Sequence, residues 1–161
     1  MPSLINQHNE LENAWVIIDS SDDISELDGK AFVPFEAYQE AVAAHGKDNI
    51  ALLLNGDADL EVMKAVFEVV PAIAINFPGF ADGRGYSLAR LLKERYSYKG
   101  EVRAVGDVLI DQLFFLKRCG FDTYLLKEGL AAETALKHFE TFSAPYQLAY
   151  DQKEPLFRRR A

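Results

Sequence analysis

IALLLNGDADLEVMKAVFEVVPAIAINF, residues 50–77, decides the fold class. It opens on IALLLN (50–55), a continuous apolar run of strand length, as a strand covered on both faces requires. Asp57 stands where a helix cap belongs, and Asp59 and Glu61 lie where they favour the positive end of that helix. Leu60, Met63, Phe67 and Val70 then recur at helical spacing until Pro71 stops them, and AIAINF (72–77) is a second buried strand. Strand, helix and strand in this order make a βαβ unit, which implies a parallel pair.

The same rhythm continues downstream. PGFADGRGYSLARLL (78–92) carries a glycine-rich loop into a helix read as SLARLLKERY (87–96), followed by the strand EVRAVG (101–106). Asp107 is placed to cap VLIDQLFFLKRC, and Gly120 sits where a left-handed residue would close it. TYLL (123–126) is a further strand and LAAETALKHFETF (130–142) an amphipathic helix. Upstream, WVII (15–18) reads as a short strand, SSDDISELDGK (20–30) as an exposed connection, and Pro34 as the first turn of a helix that ends at Gly46. Residues 1–13 form a polar lead-in, and residues 151–161 a flexible tail.

These elements predict one α/β domain over residues 1–161, with strands and helices alternating around a mainly parallel sheet. A complete eight-unit barrel needs about 250 residues, so two arrangements remain. The preferred one is an open doubly wound sheet; the alternative is a curved, partial-barrel arrangement. A chain of 161 residues buries enough surface to need no staple. The lone Cys119 allows no intramolecular disulfide and fits a reducing compartment. No secretory signal and no run of 18 apolar residues is seen, so the expected location is cytoplasmic, away from membranes.

The net charge of −8 is unevenly spread. Residues 1–70 hold 14 acids and 3 bases, whereas residues 71–161 hold 11 acids and 14 bases. The acidic front half argues against nucleic-acid binding. Between 84 and 103, however, Arg84, Arg90, Lys93, Arg95, Lys99 and Arg103 face only Glu94 and Glu101, which suits an anion or an acidic partner.

Ligands of parallel α/β proteins gather at the carboxyl ends of the strands. Those ends supply Asn55 and Asp57, Asn76, the loop with Asp82, Gly83, Arg84, Gly85 and Ser87, then Gly106, Asp107, Asp111 and Gln112, and finally Lys127 and Glu128. Gly79, Gly83 and Gly85 would permit positive φ and a close approach of backbone amides. Ser87 would cap the helix, and Arg84 would add a forked donor for an oxyanion or a cofactor phosphate. Arg103, a cation within a strand, needs a partner such as Asp82 or Asp107, or a cavity to point into. Asp107 and Asp111, one turn apart on a helix, could share a face. The structural alternative is a tight connection in which Asp82 and Arg84 pair with each other or brace a neighbouring loop. The glycines do not form the dinucleotide fingerprint, and no phosphate-binding loop of the nucleotide hydrolases is present. His8, His45 and His138 show no ligand spacing, so no metal is expected.

The segments FADGRGYS and RAVGDVLIDQLFF together resemble a bacterial family whose members are described as oxidoreductases of sulfite reduction, often encoded beside the sulfite reductase haemoprotein. The resemblance covers roughly residues 30–150 and is strongest at 75–126. It implies a pathway, assimilatory sulfite reduction, more than a reaction. Asp82, Arg84, Arg103, Asp107 and Gln112 fall on the family pattern, which carries no established catalytic role onto them. No flavin, nicotinamide, haem or iron–sulfur motif accompanies it, so the cofactor is unknown. Two functions follow as expectations. One is an oxidoreductase or pathway protein with an anion site at Gly83, Arg84, Gly85, Ser87 and Arg103, and with Asp82 and Asp107 as catalytic candidates. The other is a non-catalytic accessory protein docking on sulfite reductase or its electron donor.

Overall fold

The computed structural model describes residues 2–19, 21–79 and 83–140. Eight strands form one sheet: β1 (Leu4–Ile5), β2 (Glu10–Leu11), β3 (Trp15–Ile17), β4 (Lys30–Pro34), β5 (Ile50–Leu54), β6 (Ala72–Phe77), β7 (Glu101–Gly106) and β8 (Thr123–Leu125). Five α-helices connect or flank them: α1 (Phe35–His45), α2 (Leu60–Met63), α3 (Arg84–Glu94), α4 (Leu113–Cys119) and α5 (Ala132–Glu140).

The strand order is β2-β1-β8-β7-β6-β5-β4-β3, with β3 to β8 parallel and β1 antiparallel to both its neighbours. Strands β3 to β8 therefore lie in chain order, without the reversal that defines a doubly wound sheet. This corrects the preferred arrangement: the sheet is the curved, partial-barrel alternative. Apolar runs reveal parallel strands, but they do not reveal on which side of its predecessor each new strand is laid.

Connectivity shows how strongly the sheet curls. Edge strands β2 and β3 are joined by residues 12–14 alone. Four residue steps reach at most about 14 Å, whereas a flat sheet would put its first and eighth strands about 34 Å apart. The sheet must bend until its edges approach one another. Asn13, in the link, accepts a hydrogen bond at 3.0 Å from Nη1 of Arg103 in mid-sheet. The link thus passes over the face that carries Arg103, and that face is the enclosed one.

Register assigns the two faces. Pro34, Leu53, Ala74, Arg103 and Thr123 lie in one row across the inner face. Ala51, Ala72 and Ala74 keep this side narrow, and the long side chains of Phe32 and Arg103 fill it, all of them buried. On the outer face Ile75 and Phe77 receive α3, while Tyr124 meets Phe139 of α5 with ring centroids 5.2 Å apart.

Several local expectations change. The stretch 60–70 breaks into short α2 and a 3-10 turn at Lys64–Val66, and its cap is Asp59, which accepts from the Glu61 N–H at 3.1 Å, instead of Asp57. Strand β4 lies where only a connection and a helix start were read, because its apolar core AFV is too short to show a period. The polar lead-in carries β1 and β2. Gly120 closes α4 at φ 112°, as expected. The tail 151–161 lies outside the described residues. Among the described residues no helix is long and apolar enough to cross a membrane.

Candidate functional site

The carboxyl ends of β5, β6, β7 and β8 form one rim, which carries some of the predicted residues and not others. Asn55 follows β5 and Asn76 lies in β6, one residue before its end, and the Asn76 amide donates to the Asn55 oxygen at 3.1 Å. Gly56 follows immediately, and the Arg84 side chain lies over it. A β-carbon at position 56 would fall 2.9 Å from both Cβ and Nε of Arg84. The missing side chain at 56 is thus the seat of the arginine, and this seat was not anticipated from the glycine pattern.

The glycine-rich loop works differently from its sequence reading. None of Gly79, Gly83 and Gly85 takes a positive φ. Helix α3 begins at Arg84, so Ser87 lies beyond the cap position, which Gly83 occupies without a side-chain oxygen to offer. Gly85 lies inside the first turn and is buried because a β-carbon there would meet Phe77 at 2.7 Å and Ile75 at 3.0 Å. Its smallness lets α3 settle on the sheet. Asp82 lies outside the described residues.

Next along the rim, Gly106 turns the chain at φ 90°, with the Asn76 side chain and the Phe77 carbonyl where a β-carbon would go. The turn is held by the Asp107 N–H donating to the Phe77 carbonyl at 2.7 Å. Asp107 does not cap the following helix. It pairs with Lys127, Oδ1 to Nζ 2.9 Å, across the ends of β7 and β8. The 3-10 turn begins only at Ile110, so Asp107 and Asp111 do not share a helix face. Gln112 accepts from the Leu109 N–H at 3.2 Å and braces that turn.

Arg103 is not on this rim. It is 4% exposed and points toward the start of its own strand. There Glu101 Oε1 accepts from its Nε and faces its Nη2, both at 2.8 Å, and also accepts from the Thr123 hydroxyl. The guanidinium lies 5.1 Å over the Phe32 ring. Neither Asp82 nor Asp107 was needed: the partner is two residues back on the same face of β7. The rest of the basic stretch is also largely neutralised. Arg90 pairs with Glu94, Lys93 with Asp122 and Arg95 with Glu61.

The rim therefore carries Arg84 at the first turn of α3, the Asn55–Asn76 pair, and the Asp107–Lys127 pair further along, a set rich in donors. Such a set can orient and partly neutralise a small oxyanion. Toward β3 and β4 the same end turns acidic, where Asp19, Glu36 and Glu40 line a depression of about 330 Å³.

The sequence model of a family described as bacterial protein of unknown function (DUF934) matches residues 51–157, more than half of the chain, and the chain belongs to that family. No curated protein and no solved structure matches it.

Proposed function

We propose that the protein binds a small oxyanion at the rim formed by β5 to β8, as a pathway protein of assimilatory sulfite reduction. The single observation that carries the reading is the seating of Arg84 on Gly56, beside the Asn55–Asn76 pair, where strand ends of parallel α/β proteins hold ligands. Arg84 is the anion clamp, the first turn of α3 contributes its dipole, and Lys127 adds positive potential while orienting Asp107. Asp107 is the group placed to hold or shuttle a proton. Arg103 takes no direct part, since its guanidinium is committed to Glu101 and Asn13. Sulfite is the first anion to test, because the sequence resemblance points to its reduction.

Calorimetry with sulfite, sulfate and phosphate tests the reading. Sulfite is expected to release or absorb heat on binding, and Arg84→Ala to abolish it. No heat with any of the three anions removes the proposal.

A second reading, an accessory protein that docks on sulfite reductase or its electron donor, draws on the acidic depression at Asp19, Glu36 and Glu40. It calls for a partner with a basic face, because the protein's own basic stretch is largely paired internally. Co-purification that fades as salt is raised supports this reading, and salt-insensitive or absent association rejects it.

A further inference from the structure

The opposite end of the sheet holds a second cavity. The loops entering β6 and β7 enclose about 450 Å³, bounded by Phe67, Tyr96 and Tyr98 and by the charged side chains of Lys64, Glu68 and Lys99. This end of a parallel barrel ordinarily serves stability, so its lining needs a residue-by-residue account.

Most of that lining is satisfied within the protein. Phe67 packs edge-on against Tyr96 and Tyr98, at 5.4 and 6.2 Å between centroids. The buried Tyr98 hydroxyl donates to the Val70 carbonyl at 2.8 Å. Glu61, just outside, accepts from Tyr96 at 2.6 Å and from Lys64 at 3.2 Å, and pairs with Arg95 at 3.2 Å. Glu68 and Lys99 are the charged lining residues that remain, both reached by solvent. Neither Glu68 nor Lys99 has an ion pair or hydrogen bond to any described residue, although both line the same cavity.

The turn that carries Lys99 is also held stiffly. Ser97 takes the left-handed conformation at φ 52°, which costs a non-glycine residue about 1–2 kcal/mol. The Tyr98 N–H reaches back to the Leu92 carbonyl at 2.8 Å, and at Gly100 a β-carbon would run into the Tyr98 hydroxyl and the Pro71 carbonyl. The turn that ends α3 thus fixes the backbone from which Lys99 projects, and Lys99 and Glu68 line the same cavity.

We infer that this cavity is a binding site for a small zwitterion of the α-amino acid type. Its carboxylate meets Lys99, its ammonium meets Glu68, and an apolar or aromatic side group lies along Phe67 and Tyr96. A plain anion would leave Glu68 opposed to it, and a plain cation would leave Lys99 so. Only a molecule carrying both signs satisfies both.

L-phenylalanine is the probe, with 3-phenylpropionate and phenethylamine as analogues that each lack one charge. Backbone amide resonances of Ser97, Lys99 and Gly100 are followed by two-dimensional NMR during titration. Saturable shifts are expected with L-phenylalanine at a Kd of about 1 mM or below, and each analogue is expected to bind at least about tenfold more weakly. Lys99→Met and Glu68→Gln, both at exposed positions, should each weaken L-phenylalanine about tenfold while leaving the spectrum's dispersion intact. The inference is overturned by the absence of saturable shifts with L-phenylalanine. It is equally overturned if an analogue binds as tightly as the amino acid, or if both variants bind it as the parent does.

Discussion

Arg103 on the enclosed face and Arg84 on the rim carry the same guanidinium in opposite settings. Around Arg103 every neighbour is fixed: Glu101 on its own strand, Thr123 on the next, Asn13 from the link and the Phe32 ring beneath. Around Arg84 the fold supplies a seat, Gly56, and exposure to solvent. At Arg103 the cost of desolvation is offset by the Glu101 carboxylate and the Asn13 amide oxygen. The exposed Arg84 keeps part of its guanidinium surface in water and carries less of that cost. The comparison separates a buried arginine, whose desolvation the protein itself must offset, from an exposed one that solvent still reaches.

The largest effect should come from unmatching the buried member. Glu101→Ala strips the carboxylate from Arg103 and should lower stability by about 3 kcal/mol, read as a drop in the denaturant midpoint. A loss no greater than that of a surface mutant would dissolve the distinction. Gly85→Ala comes next. A methyl group pressed into Phe77 and Ile75 should cost about 2 kcal/mol without touching anion binding at saturating ligand. If it removed binding and left stability unchanged, Gly85 would belong to the site and not to the packing.

Tyr98 sharpens the rule for buried polar groups. Burial, then the charges of Glu101 and Asp122, push its phenol well above the usual tyrosine range. A raised folded-state pKa means that the associated stability is fully present below about pH 10, the unfolded value, and is lost as pH climbs beyond it. Tyr98→Phe should cost about 1 kcal/mol at neutral pH through the lost bond to Val70, and it should flatten the alkaline fall in thermal stability. The smallest change is expected from Arg84→Ala, within about 0.5 kcal/mol of the parent in unfolding experiments. A large destabilisation there would make Arg84 a second structural arginine.

Much of this molecule was legible in its residues. Strands β5, β6 and β7 were readable because buried parallel strands are continuous apolar runs, and Gly120 because a helix end demands a left-handed residue. The strand order was not, since a crossover helix of given length serves either direction. β1 and β2 were missed because strands of two residues carry no period and take their identity from Leu125 and Tyr124 across the sheet. Among the site residues, Arg84, Asn55, Asn76, Asp107 and Lys127 do share one rim, as their positions after strands suggested. Arg103 went elsewhere because register, invisible in sequence, put Glu101 and Thr123 beside it. The loop glycines misled for a related reason: a missing side chain serves tight packing as readily as unusual backbone angles, and only neighbours such as Phe77 tell the two apart.

The three-residue link between β2 and β3 has a consequence for the segment that the family's sequence model matches. The segment matched by the family's sequence model starts in β5, so four of the eight strands, with Asn13 and Phe32, lie upstream of it. Expressed without them, that segment would bare the Arg103 guanidinium and a row of alanines to water. The matched segment therefore spans four strands of an eight-stranded curled sheet, and in this chain the residues before it supply the other four.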